Sequence, residues 1–156
     1  MFDIHKIKML NFKSYRGEHV FDMPDTPGLY FLTGKNKSEP TLGSNGSGKS
    51  TLLDAIYWCL YGKTLRGLKS VDIITWGESS CTVSVTLTVG NKHFTVRRAQ
   101  SPNSVAIIEG KVKTIVEQDE LQKRLRLNPD AFTYAVILPQ FGQSFFELKP
   151  TDKLAL

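Results

Sequence analysis

The sequence predicts an α/β fold in which a glycine-rich turn joins an apolar strand to a helix. Three observations carry this expectation. Residues 43–50 read GSNGSGKS and satisfy G-x-x-x-x-G-K-[ST] in full. Directly after them, Leu52, Leu53, Ile56 and Leu60 recur at helical spacing, with Gly62 placed as a cap just past the end. Further on, Cys81, Val83, Val85, Leu87 and Val89 alternate with Thr82, Ser84, Thr86 and Thr88, the two-residue period of a half-buried strand.

The other elements follow in order. Residues 7–9 alternate briefly, 19–23 form a second extended piece and 29–33 a third. The third is nearly all apolar, the pattern of a strand buried on both faces. The helix spans residues 50–61. Gly90-Asn91 then turns strand 81–89 into strand 92–98, an antiparallel hairpin. Ser101-Pro102-Asn103 turns again into residues 105–109, and Gly110 ends that piece. An amphipathic helix is expected over 117–127, with Leu121 and Leu125 inward and Lys123, Arg124 and Arg126 outward. Asn128-Pro129-Asp130 signals a further helix start for residues 131–138. Pro139 interrupts it, an aromatic loop follows, and residues 151–156 read as the first turn of another helix. A chain ending there predicts a fragment or half-domain.

Composition narrows the class. The 156 residues suffice for one core, and 40% hydrophobic with 22% charged residues is ordinary for a soluble globular protein. No run approaches the ~20 apolar residues of a membrane span, and the N-terminus lacks the apolar stretch of a leader peptide. Cys59 and Cys81 show no metal-type spacing and fit a reducing compartment. The expectation is an intracellular, cytoplasmic protein with no membrane partner. A net charge of +5 fits a polyanionic partner, and fits ordinary solubility equally well.

The glycine-rich run is a phosphate loop. Its glycines let successive amide hydrogens turn inward on a phosphate chain. Lys49 supplies positive charge to the terminal phosphates, Ser50 a hydroxyl for magnesium, and the helix from Thr51 onward its N-terminal dipole. Asn45, Gly46, Ser47 and Gly48 complete the cradle, so a phosphate chain carrying Mg2+ is the expected ligand. Gly34-Lys35-Asn36, just after the apolar run, looks like the start of a second loop. Only the Gly43 frame places Gly48, Lys49 and Ser50 correctly, so Gly34 marks the strand end and residues 35–42 are an insertion. That insertion is polar, carries Pro40, and is expected to project at the surface beside the nucleotide, with Lys35 or Lys37 near phosphate or a partner. A hydrolytic site also needs an acid after a buried strand. No apolar run here ends in paired acids, and Asp72 fits a surface turn better.

These segments, in this order, resemble the N-terminal ATPase half of the SMC superfamily, most closely the SbcC-type repair ATPases and their phage recombination counterparts. IKMLNFKSYRG (7–17) is similar to the family's opening strand, GSNGSGKSTLLDAIYWCLY (43–61) to its phosphate loop and first helix, and AFTYAVILPQFGQSFFEL (131–148) to the segment ending in its glutamine loop. The resemblance implies an ABC-type ATPase head built from two chain ends, residues 1–148 supplying the N-terminal half and 149–156 the start of a coiled coil. It implies ATP hydrolysis, with the magnesium aspartate and catalytic glutamate in the C-terminal half of the same head. The implied partners are that half, a second head in a homodimer, an SbcD-like nuclease and DNA. Lys49 would contact the β- and γ-phosphates, Ser50 the magnesium, Gln140 the magnesium and attacking water, and Lys13 and Ser14 the nucleotide. Pro139 and the 35–42 insertion depart from the family pattern. Lys63, Arg66 and Lys69, or Lys92, Arg97 and Arg98, are the basic groups that could meet DNA phosphates.

Rival readings are an ABC transporter nucleotide-binding domain, another SMC-like chromosome-organising ATPase, and a stand-alone P-loop kinase or GTPase. The long, strand-rich separation between Lys49 and Gln140 argues against the first. The missing acidic magnesium site argues against the last.

Overall fold

The computed structural model describes residues 2–36, 41, 43–44, 46–65, 67–68 and 70–137. Six strands form one antiparallel sheet: β1 (Phe2–Phe12), β2 (Tyr15–Asp22), β3 (Cys81–Val89), β4 (Lys92–Gln100), β5 (Ser104–Glu109) and β6 (Val112–Ile115). The strand order is β2-β1-β3-β4-β5-β6, so among the described strands the only neighbours far apart in sequence are β1 and β3. The alternation from Cys81 onward holds as expected through Leu87, with Cys81, Val83, Val85 and Leu87 buried and the threonines half-buried on the opposite face; Val89, at the strand end, is only half-buried. Gly90, at φ +61°, makes the turn between β3 and β4, and their register runs without a break from Val89↔Lys92 to Cys81↔Gln100.

Helix α1 (Lys49–Tyr61) lies on one sheet face, against Ile7, Met9, Phe12, Val83, Val85, Phe94 and Val96. Its pattern leads one to expect a single apolar stripe, but its second half, from Ala55 to Tyr61, is buried all round. The sheet covers one side, and α2 (Gln118–Leu125) and α3 (Pro129–Ala135) close over the other. Leu121, Leu125 and Phe132 are the buried anchors of those short helices. Phe132 meets Tyr61 at 5.3 Å between ring centroids and Phe2 at 5.7 Å, both edge-on. The expected start of α3 is seen directly: the Asn128 side chain accepts a 2.7 Å bond from Ala131 N, and Pro129 takes the first helical position.

The C-terminal end of α1 is closed from inside. Gly62, at φ +72°, donates its amide to the Trp58 carbonyl at 2.8 Å. Arg98 reaches in from β4, its Nε donating to the Cys59 carbonyl at 3.0 Å and Nη2 to the Gln118 side chain. Gln118 in turn donates to the Leu60 carbonyl at 3.0 Å. Arg98 is thus a buried helix-capping cation, which removes it from the basic residues that could meet DNA. Beside it, burial pushes the Cys59 thiol up to about 12, so this cysteine is an inert core group.

Two elements differ from expectation. The short edge strand β6 follows Gly110, where the sequence pattern marks only the end of the preceding piece. Residues 29–33 are not a buried strand: they have no strand pairing, and Leu29 and Phe31 are 86% and 85% exposed. A strand apolar on both faces needs neighbours on both edges, and no described strand offers one. Instead Tyr30 folds back on its own turn, its hydroxyl donating to the Thr26 carbonyl at 2.7 Å.

Candidate functional site: a phosphate loop seated on a hairpin turn

The β1–β2 hairpin turns sharply because Asn11 and Lys13 both adopt the left-handed conformation, at φ +51° and +52°. Asparagine is the side chain most at ease there. Its Oδ1 also accepts from Gly17 N at 2.7 Å, and its Nδ2 donates to Glu78 at 3.1 Å. Glu78 pairs with Arg16 at 2.7 Å, and Thr75 N reaches the Asn11 carbonyl at 3.0 Å, so residues 73–78 strap the turn from outside.

The turn rests on the first turn of α1. Ser14 Oγ donates to Thr51 Oγ1 at 3.2 Å, and Tyr15 OH to the Gly48 carbonyl at 3.3 Å. Lys13 Nζ pairs with Asp54 Oδ2 at 2.5 Å. Above this seat the phosphate loop makes its turns through Gly43, Gly46 and Gly48, at φ +57°, +69° and +91°. At Gly48 a Cβ would stand 2.9 Å from the Tyr15 hydroxyl, so both conformation and space demand glycine. The first helical bond is Leu52 N to the Gly48 carbonyl at 3.1 Å. The amides of Lys49, Ser50 and Thr51 therefore have no partner within the helix. No acidic residue lies in this first turn to neutralise the dipole. Such a helix start suits an anion.

Lys49 lies across the loop, its ammonium donating to the Ser44 carbonyl and, at 3.2 Å, to Ser47 Oγ. Ser47 Oγ donates onward to the Ser44 carbonyl at 2.7 Å. Ser50 is exposed at the helix start, a hydroxyl available to a magnesium ion already held by phosphates. Among the described residues no group of three His, Cys, Asp or Glu could hold a metal by itself. A cation bound chiefly through its nucleotide fits that donor set. Asn45, Lys37 and Gln140 lie outside the described residues, as do the coiled-coil start at 149–156 and two of the basic candidates, Arg66 and Lys69.

The second glycine start is resolved by contact. A Cβ at Gly34 would stand 2.4 Å from Ser47 Oγ and 2.7 Å from Ser47 Cβ. Gly34 therefore packs directly against the phosphate loop. Asn36 N donates to the Gly43 carbonyl at 3.0 Å, so the chain leaves and rejoins at one point and the insertion is closed at its base. Gly34→Ala is expected to weaken ATP binding about tenfold by forcing Ser47 off the Ser44 carbonyl. Titration of the complete protein with a fluorescent ATP analogue checks this, and an unchanged Kd would show that the loop yields without loss.

The sequence reading missed Asp54 and Tyr15. Asp54 left a signal, a lone acid in the apolar run LLDAIYWCLY. Tyr15 left only its place in the 7–17 segment, since an aromatic at a strand start reads as ordinary core.

A complete phosphate loop opening a helix that lies on an antiparallel sheet defines a P-loop NTPase, in the form of an ABC-type ATPase head. Residues 6–153 match the AAA domain family, and the chain belongs to it. The chain is 33% identical over 117 residues to the SbcC subunit of the SbcCD nuclease of Deinococcus radiodurans, covering 64% of this chain and 13% of that protein. It is 25% identical over 152 residues to exonuclease subunit 2 of Escherichia phage RB69, covering 93% of this chain and 25% of that protein. A solved structure of the recombination mediator RecF with ATP shares the fold, with a TM-score of 0.54 and 19% identity over 77% of this chain and 30% of that one. The chain thus spans a quarter or less of the two curated relatives' length. The resemblance to SbcC-type ATPases stands.

Proposed function

We propose that this chain is the N-terminal, ATP-binding half of the head of a DNA repair or recombination ATPase, acting with a nuclease subunit. The observation that carries the reading is the seating of Gly46–Thr51 on the hairpin turn of residues 13–15, which joins loop, helix start and hairpin side chains and supports an anion site among them. Lys49 would hold the β- and γ-phosphates, the amides of residues 46–51 their oxygens, and Ser50 the magnesium. Magnesium would neutralise charge developing between the β- and γ-phosphates. Ser14 would support Thr51, and Gln140 would orient water. In this reading ATP binding draws two heads together, and hydrolysis regulates how the partner nuclease processes DNA.

Two features support a partner half-head. The exposed apolar run at Leu29, Tyr30, Phe31 and Leu32 is of the kind that another segment covers. The carboxylates of a hydrolytic site are absent from the described residues around the loop. For DNA, the exposed Lys63 after α1 and the exposed Lys92 and Arg97 on β4 remain as candidate backbone contacts. The 156-residue chain alone is expected to turn over ATP at a small fraction of the rate of the complete protein. ATP should convert complete heads from monomer to dimer in light scattering. Robust turnover by the short chain, or dimerisation indifferent to ATP, would sink the split-head reading. The fold shared with RecF favours a second reading, a repair ATPase with no nuclease subunit, which co-purification of the complete protein with nuclease activity would exclude.

A further inference from the structure

We infer that Asp54 is a positioning residue for the nucleotide site, fixing the Lys13 ammonium beside the phosphate loop. The inference rests on the nucleotide-site reading above. Asp54 lies four residues after Ser50, so its side chain stands one turn further along the same helix face. It is 2% exposed, an unusual setting for a carboxylate, and both oxygens are engaged. Oδ1 accepts from Leu65 N at 3.0 Å, and Oδ2 from Lys13 Nζ at 2.5 Å.

These two bonds do different things. The Leu65 amide belongs to a segment that is itself braced, since Thr64 Oγ1 accepts from Leu68 N at 2.8 Å and the Thr64 carbonyl from Gly67 N at 3.1 Å. That bond fixes the plane of the carboxylate. Oδ2 then presents one direction to Lys13, whose backbone is already held in its left-handed turn by a 2.8 Å bond from its amide to the Ile73 carbonyl. A lysine is ordinarily a flexible cation with many rotamers. Here backbone and carboxylate together confine it, and its neighbours Ser14 and Tyr15 touch Thr51 and Gly48 at the loop itself. A preplaced cation acts on an anion without the ordering cost that a mobile one incurs. If the pair were only a strut joining hairpin to helix, its loss would lower stability and leave nucleotide affinity alone.

The test uses the complete protein, a fluorescent ATP analogue, and thermal unfolding as a second readout. Asp54→Asn keeps the shape and the acceptor for Leu65 N while removing the charge that confines Lys13. It should raise the Kd about three- to tenfold, the scale of one favourable charged contact. Lys13→Met should do the same, Lys13→Arg should recover part of the affinity, and the Lys13→Met/Asp54→Asn double variant should be no weaker than either single one. The double variant leaves no unpaired buried charge, so it reports affinity even if a single variant folds poorly. An unchanged or lowered Kd in Asp54→Asn, with binding still lost in Lys49→Ala, would overturn the role of Asp54 and leave the nucleotide site standing. Absence of ATP binding by the wild-type protein would remove both.

Discussion

Lys49→Ala in the complete protein is expected to lower ATP hydrolysis about a thousandfold while leaving the fold intact. The ammonium is the charge that the loop brings to the terminal phosphates, where negative charge is concentrated and where it shifts as the β–γ bond breaks. Among the described cations, Lys13 is bound to Asp54 and Arg98 is buried at the far end of α1, so neither can replace it. The loop itself does not depend on Lys49, because the Ser47–Ser44 and Asn36–Gly43 bonds keep it closed. Unfolding stability should therefore change by no more than about 1 kcal/mol. Steady-state phosphate release measures the first effect and urea unfolding the second. A variant retaining roughly a tenth of the wild-type rate would mean that the Gly43 frame is not the working loop.

Arg98→Ala should be strongly destabilising for a charged residue, by about 3 kcal/mol, or a fall in Tm of roughly 6–12 °C. Arg98 is 8% exposed, and truncation leaves the Cys59 carbonyl and one side of Gln118 without their partner. It also removes the cation lying 5.9 Å over the Trp58 ring and opens a cavity beside Gly62. Burial opposes the charged guanidinium and lowers its pKa from the ordinary arginine value. Its bonds to the helix end must outweigh that cost. Arg98→Lys should recover only part of the loss, because an ammonium cannot serve Cys59 and Gln118 in the fork geometry of a guanidinium. A loss under about 1 kcal/mol in urea unfolding would show that water can cap α1 unaided.

What was legible in the sequence was what local rules specify. The phosphate loop, the helix behind it, the β3–β4 hairpin and the Asn128 cap each depend on spacing within one or two turns of chain, and each is found at its expected place. Residues 29–33 show the limit. Their apolar pattern predicts a buried strand, yet they stand exposed and unpaired, because an apolar run carries no information about which surface, if any, will cover it. Arg98 failed for a related reason: strand alternation marks it as a basic residue on a hairpin, and only the packing of α1 over β4 shows that it points inward. The Lys13–Asp54 pair joins two positions that no periodicity connects. Sequence pattern places such residues on elements; the topology decides which of them meet.

The sheet order has a consequence for how the chain reaches its native state. β1 pairs locally with β2 along one edge, but its other edge waits for β3, through pairs such as Lys8↔Ser84 and Ile7↔Val85. The phosphate-loop motif is spelled out between those partners. On a ribosome, α1 therefore emerges before the strand that completes its floor, with its apolar residues uncovered until residues 81–89 arrive. Closing so long a connection is the entropically slow event. The β1–β3 clasp is then the step expected to limit folding, and a ligand of the assembled loop would stabilise the chain only after it has closed.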